Sequence, residues 1–131
     1  MSRKTRPTPR PTRAEQQILA VLWRLGEGTV REVHEQMNRS RDVGYTTVLK
    51  LMQIMADKGL LLRREEGRAH AYRAAAPSEE TQKQLLADLT DRVFGGSAAQ
   101  LVMRALSVNP ATPEELDEIR RMLDEQQGRQ K

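Results

Sequence analysis

The chain contains no cysteine among its 131 residues, and this absence excludes disulfide bonds, thiolate zinc sites and cysteine nucleophiles. Its two histidines, His34 and His70, sit among charged or small residues without a second histidine at ligand spacing, so we interpret both as ordinary surface residues. No apolar run approaches the roughly 18 residues that suggest a membrane span, and no hydrophobic stretch follows the N-terminus. We therefore predict a cytoplasmic protein with no metal, no cofactor and no inserted membrane segment.

Negative charge is scarce in the first part of the chain. Residues 1–76 contain 15 Lys or Arg against 8 Asp or Glu, whereas residues 77–131 contain 7 against 10. An excess of positive charge favours a polyanionic partner for the first part. Residues 1–11 hold four cations and three prolines and are predicted to be a disordered arm, which either follows DNA or only improves solubility.

One helix, predicted over residues 45–58, has two contrasting faces. Thr46, Lys50 and Gln53 recur on one face, and the opposite face is apolar, with Val48, Met52 and Met55. Short hydroxyls, an amide and an ammonium group are suited to reading base edges and phosphates in a DNA major groove. By itself, the pattern also fits a helix face that is simply solvated.

The neighbouring segments favour DNA recognition. Capping boxes at Thr12-Arg-Ala-Glu15 and Thr29-Val-Arg-Glu32 begin two shorter helices before this one. After it, two short arms flank a turn at Glu66-Gly67 and carry several arginines, which predicts a basic β-hairpin whose return arm alternates between its two faces. The predicted fold class is mainly α with a small β-hairpin: a winged helix-turn-helix domain followed by a C-terminal three-helix dimerisation region.

The residues after Pro77 form this C-terminal region, with helix starts at Ser78, Ser97 and Thr112. A segment this small rarely stabilises itself, so it packs either on the winged domain or on its copy in another chain. We favour dimerisation. The predicted domains are residues 1–11 (arm), 12–76 (winged helix), 77–126 (dimerisation) and 127–131 (tail), and the predicted dimerisation residues are Leu85, Leu86, Leu89, Val93, Leu101, Val102, Leu116, Ile119 and Leu123.

The chain resembles the penicillinase-repressor (BlaI/MecI) family of bacterial winged-helix repressors. The match covers about residues 11–126. It is carried by an ordered set of segments that includes Ile18–Trp23, Thr29–His34, Tyr45–Leu49, Asp57–Leu60, Glu66–Arg73, Phe94–Ser97 and Glu114–Ile119. The resemblance implies a homodimer on a palindromic operator, with Tyr45, Thr46 and Thr47 at the start of the recognition helix and Arg68 at the wing.

The resemblance also implies release from DNA through cleavage by a membrane-bound zinc protease sensor system. The family's cleavage point is an Asn-Phe bond after an apolar Leu-Val run. Here Leu101-Val-Met103 is followed by Arg104-Ala105, so the chain departs from the family pattern at the equivalent position. Related copper-responsive repressors use a cysteine motif, which this chain lacks.

Residues and resemblance together predict a dimeric, sequence-specific repressor of transcription that binds double-stranded DNA. The alternative is a non-specific architectural or protein-interaction module. An enzyme is excluded because the carboxylate pairs Glu65-Glu66 and Glu114-Glu115 have no nucleophile or metal partner. The predicted DNA-binding residues are Arg41, Tyr45, Thr46, Thr47, Lys50, Gln53, Arg64 and Arg68.

Overall fold

A computed structural model describes residues 10–129, in which six helices and one antiparallel hairpin follow one another. The predicted basic arm therefore lies outside the described residues, except for Arg10 and Pro11. The predicted fold class is confirmed. The elements are α1 (Arg13–Leu25), α2 (Val30–Met37), α3 (Tyr45–Lys58), β1 (Leu61–Glu66), β2 (Ala69–Ala74), α4 (Ser78–Val93), α5 (Ala98–Val108) and α6 (Pro113–Arg129).

The helix starts follow the predicted local chemistry. The hydroxyls of Thr12 and Thr29 accept from the backbone N–H three residues later, and the glutamates at those positions accept from the threonine N–H groups in return. Thr112 and Glu115 form the same reciprocal pair at the start of α6. Gly59, with φ 88°, ends α3 in the left-handed conformation that residues with a side chain rarely adopt.

The first compact unit extends to Leu85 and contains the hydrophobic core. Its boundary lies inside α4 rather than at Pro77, because the start of that helix packs on the unit: Thr81 is buried, and Trp23 Nε1 donates to Ala76 O at 3.1 Å. Each fully buried Leu, Ile or Met side chain contributes about 2 kcal/mol of hydrophobic stabilisation. The core consists mainly of Ile18, Leu19, Leu22, Val30, Val33, Met37, Val48, Met52, Met55, Leu60, Leu61 and Tyr72.

The hairpin differs from its prediction in two details. Its loop is Gly67–Arg68, one residue later than predicted, and Glu66 pairs with Ala69 as the last register position. Of the two loop residues, Gly67 has a positive φ of 62° and Arg68 does not, as expected for a type II′ turn. The return strand also does not alternate cleanly, since both Ala71 and Tyr72 are buried.

The second compact unit comprises the rest of α4 together with α5 and α6. The three helices occur where they were predicted, and α6 continues to Arg129, into the segment predicted as a tail. No residue from 86 to 129 is buried in the single chain. Among the described residues, no helix is both long and apolar enough to cross a bilayer.

Candidate DNA interface

The turn before α3 is held by the side chain of His34, from α2, and by that of Asn38, which caps the end of α2. Asn38 Oδ1 accepts from the backbone N–H of Val43 at 2.9 Å, and His34 Nε2 lies 2.8 Å from the carbonyl oxygen of Val43. Asn38 Nδ2 also lies 3.0 Å from His34 Nε2, so one imidazole nitrogen contacts both the beginning and the end of this turn. The same imidazole packs edge-on against the Tyr45 ring, with the ring centroids 5.7 Å apart. His34 and Asn38 therefore fix where the third helix begins.

This function of His34 was not anticipated from the sequence, in which it reads as an ordinary surface histidine. The contact spans nine residues from His34 to Val43 and depends on the angle between two helices. A local pattern contains no such angle. The only available signal was the short polar turn between two predicted helices.

The two faces of α3 are separated as predicted. Val48, Met52 and Met55 are fully buried. Thr46, Thr47, Lys50 and Gln53 are exposed, and 46% of Tyr45 is accessible at the helix start. A helix with one face in the core and a hydrogen-bonding face in solvent has the shape and chemistry needed to enter a major groove.

A groove of about 490 Å³ separates the start of α3 from the hairpin. Tyr45 and Gln53 from the helix and Arg68 from the hairpin loop line it, so the structure brings three predicted DNA-binding residues together. Thr46, Thr47 and Lys50 are not among its lining residues and lie on the remaining exposed surface of α3. The other residues that line the groove are Thr29, Val30, Arg31, Leu49, Ala69, His70 and Tyr72.

Arg64 lies on the opposite face of the hairpin from this groove. In the strand register Arg64 is opposite Ala71, whereas the groove-lining residues His70 and Tyr72 belong to the other face. Both Nε and Nη2 of Arg64 donate to the Glu27 carboxylate at 2.8 Å, and Nη2 also donates to Glu66. These hydrogen bonds from Arg64 lower the pKa of Glu27, and the carboxylate in turn raises the pKa of Arg64.

Arg41 lies in the turn before α3. Its Nη1 donates to Gln17 Oε1 on α1 at 2.8 Å, and its side chain remains exposed. Across residues 10–129, no group of three or more His, Asp or Glu side chains is arranged to hold a metal ion. The predicted DNA-binding residues on this surface offer hydroxyl, amide, ammonium and guanidinium groups, which form hydrogen bonds and carry positive charge.

Comparison with known proteins gives a consistent result. The penicillinase-repressor family model matches residues 11–125. The transcriptional regulator BlaI of Mycobacterium tuberculosis is 32% identical over 112 residues, which cover 85% of this chain and 80% of that protein. The penicillinase repressor of Bacillus licheniformis is 21% identical over 123 residues, 94% of this chain and 96% of the repressor.

A solved structure supports the fold of the first unit. The solution structure of the DNA-binding domain of the repressor BlaI superimposes with a TM-score of 0.51 at 20% identity. The match covers 58% of this chain and 93% of that domain. At 20% identity this similarity shows a shared winged-helix fold and says nothing about the operator sequence.

Proposed function

Since the chain belongs to the penicillinase-repressor family, we propose that this winged-helix DNA-binding repressor acts as a homodimer on a palindromic operator. Family membership also makes it a regulator rather than an enzyme. The single observation that carries the proposal is the exposed polar face of α3, which lies opposite a buried apolar face and beside a groove lined by two arginines.

In the proposed complex, α3 lies in the major groove. Thr46, Thr47, Lys50 and Gln53 are directed at base edges, and Tyr45 contacts the operator at the helix start. Arg68 and Arg41 supply phosphate contacts, which position the domain and make its affinity salt-dependent. Arg64 is placed differently: its two hydrogen bonds to Glu27 support a role in holding the wing in position for DNA.

Dimerisation through the second unit completes the proposal. Two tethered domains reinforce each other on two half-sites, so the dimer binds far more tightly than either half alone. The proposed interface comprises Leu85, Leu86, Leu89, Val93, Leu101, Val102, Leu116, Ile119 and Leu123.

We extend the proposal to a membrane-bound protease sensor as the releasing partner. Arg104 and Ala105 are exposed on α5, at the position equivalent to the family's cleavage point. Co-expression with a membrane-bound metalloprotease sensor, followed by mass measurement of the fragments, tests this step. Fragments ending at Arg104 are expected, and an intact chain under inducing conditions would contradict it.

The reading helix is tested by replacing Thr46, Lys50 and Gln53 together with alanine. Each lost base contact costs about 1–3 kcal/mol of discrimination, so preference for an operator selected from random duplexes should fall at least a hundredfold. Fluorescence anisotropy measures this preference as the ratio of the dissociation constants for the scrambled and operator duplexes. Replacing the exposed α4 residues Gln82 and Lys83 with alanine is the control. Undiminished operator preference in the triple variant would remove α3 as the reader.

A further inference from the structure

The groove beside α3 contains one arginine that the proposed contacts leave out. Arg31 is the second residue of α2, its side chain is exposed, and it lines the same groove as Gln53 and Arg68. The groove therefore has a guanidinium on α2 and another on the hairpin loop, with the reading helix contributing Tyr45 and Gln53.

Both of these arginines are available to a ligand. Within residues 10–129, neither Arg31 nor Arg68 makes a hydrogen bond or ion pair with another side chain, whereas Arg64 is bound by Glu27 and Arg41 by Gln17. An arginine without a protein partner keeps five N–H donors, in a planar fork that matches phosphate oxygens.

We propose that Arg31 is a further DNA-binding residue and that it holds, together with Arg68, the phosphodiester backbone of one strand in this groove. The inference rests on the proposed function. Phosphate is favoured over a base because Arg31 belongs to the helix that precedes the reading helix, and in helix-turn-helix proteins that helix crosses the backbone. Thr29 and His70 also line the groove and add polar groups of the kind that contact phosphate and sugar.

The experiment compares Arg31→Ala, Arg68→Ala and the double variant in the full chain. Dissociation constants are measured over a range of salt concentrations, with the selected operator and with random-sequence duplex DNA. Each single substitution should reduce the slope of log K against log salt by about 0.9, and the double by about twice that, because each phosphate contact releases counterions. Affinity for both duplexes should fall in parallel, so their ratio stays unchanged.

Arg129→Ala is the matched control, since it removes the same charge from the last described residue of α6. Arg31→Lys should retain the slope because it keeps the charge, and far-UV circular dichroism confirms that each variant is folded. If Arg31→Ala binds with the wild-type salt slope and affinity while Arg68→Ala clearly loses affinity, the inference is overturned and the proposed function stands. The inference is also overturned if Arg31→Ala loses affinity for the operator duplex alone, because that result indicates contact with bases. If the wild-type chain binds neither duplex, both proposals fail.

Discussion

Glu15 joins the start of α1 to the end of α3. Its side chain is only 3% exposed; Oε1 accepts from the Thr12 N–H at 2.9 Å, and Oε2 accepts from Lys58 Nζ at 2.8 Å. Burial raises the pKa of Glu15, but the hydrogen bonds from Lys58 and Thr12 outweigh it, so the pKa lies below its ordinary value of 4.5. The capping box in the sequence predicted the contact of Glu15 with Thr12 at the helix start. It did not predict the contact with Lys58, which is 43 residues away in sequence.

Substituting Glu15→Gln should make the stability of the first unit less dependent on pH. A lowered carboxyl pKa in the folded state contributes stability above the unfolded pKa, and this contribution is lost as pH falls through the folded value. Glutamine still caps Thr12 but loses the charge paired with the partly exposed Lys58. Urea unfolding should therefore show a loss of about 1 kcal/mol near neutral pH.

The Glu15→Gln deficit should shrink as the pH falls through the lowered folded-state pKa of Glu15, because the wild-type carboxylate then becomes protonated. Glu32→Gln is the matched control, since Glu32 holds the same capping position after Thr29 but is exposed and has no lysine partner. A deficit that stays constant with pH would show that the ion pair with Lys58 contributes nothing.

At the scale of elements, the wing is a three-part structure and not a free hairpin. Gly28 pairs with Tyr72 through two backbone hydrogen bonds of 2.9 and 2.8 Å, so the loop between α1 and α2 lies beside β2. Arg64 on β1 is the register partner of Ala71 on β2. Glu27 belongs to the loop that borders β2 on the side away from β1. The Arg64–Glu27 ion pair therefore joins two segments on either side of β2, and Ala71, the register partner of Arg64, is only 2% exposed.

Replacing Glu27 with glutamine should loosen this attachment and release Arg64. Hydrogen exchange at the Tyr72 and Gly28 amides should accelerate several-fold, and affinity for random-sequence DNA should rise slightly because this surface loses one negative charge. Exchange followed by nuclear magnetic resonance and salt titrations with duplex DNA measure the two effects.

Glu66→Gln separates loosening from a simple charge effect. It removes the same charge from the wing, and only one contact to Arg64, at 3.2 Å, is lost. DNA affinity should rise slightly in this variant while exchange at Tyr72 stays at the wild-type rate. Equal exchange rates in the Glu27→Gln variant and the wild type would refute the bridging function of the ion pair.

At the scale of the whole molecule, the second unit leaves its apolar side chains in solvent. Leu89 is 42% exposed, Val93 65% and Leu123 54%, and no residue of α5 or α6 is buried. A segment of this size that leaves its apolar stripes unburied rarely stabilises itself. A second copy of the chain is the partner that the proposed function supplies.

The substitution Leu89→Asp should convert the proposed dimer into monomers. A carboxylate placed in an apolar interface is desolvated without a partner, which costs several kcal/mol in each subunit. Equilibrium sedimentation should give the monomer mass, and operator affinity should fall far more than twofold. Ala87→Asp adds the same charge at an exposed position on the other side of α4 and should leave the mass unchanged. A Leu89→Asp protein that sediments as a full dimer would contradict the interface.

The local features of this chain were predictable because their physical causes lie within a few residues. Thr12, Thr29 and Thr112 cap helices through partners three positions away, and Gly59 ends α3 through its own backbone freedom. The polar face of α3 was equally predictable, since the helical repeat determines which residues share a face. The hairpin was predicted with a turn one residue too early, because Glu66-Gly67 and Gly67-Arg68 differ little in turn propensity.

The sequence by itself determined the six helices, the wing and the face of α3 that is left exposed, because each depends on spacing along the chain. Only the tertiary structure decided which arginines are hydrogen-bonded to other side chains of the protein. Arg64 and Arg68 carry the same charge, yet Arg64 is bound to Glu27 and Arg68 lines the groove together with Arg31. That difference depends on strand register and on a loop 37 residues away, so it exists only once the chain has folded.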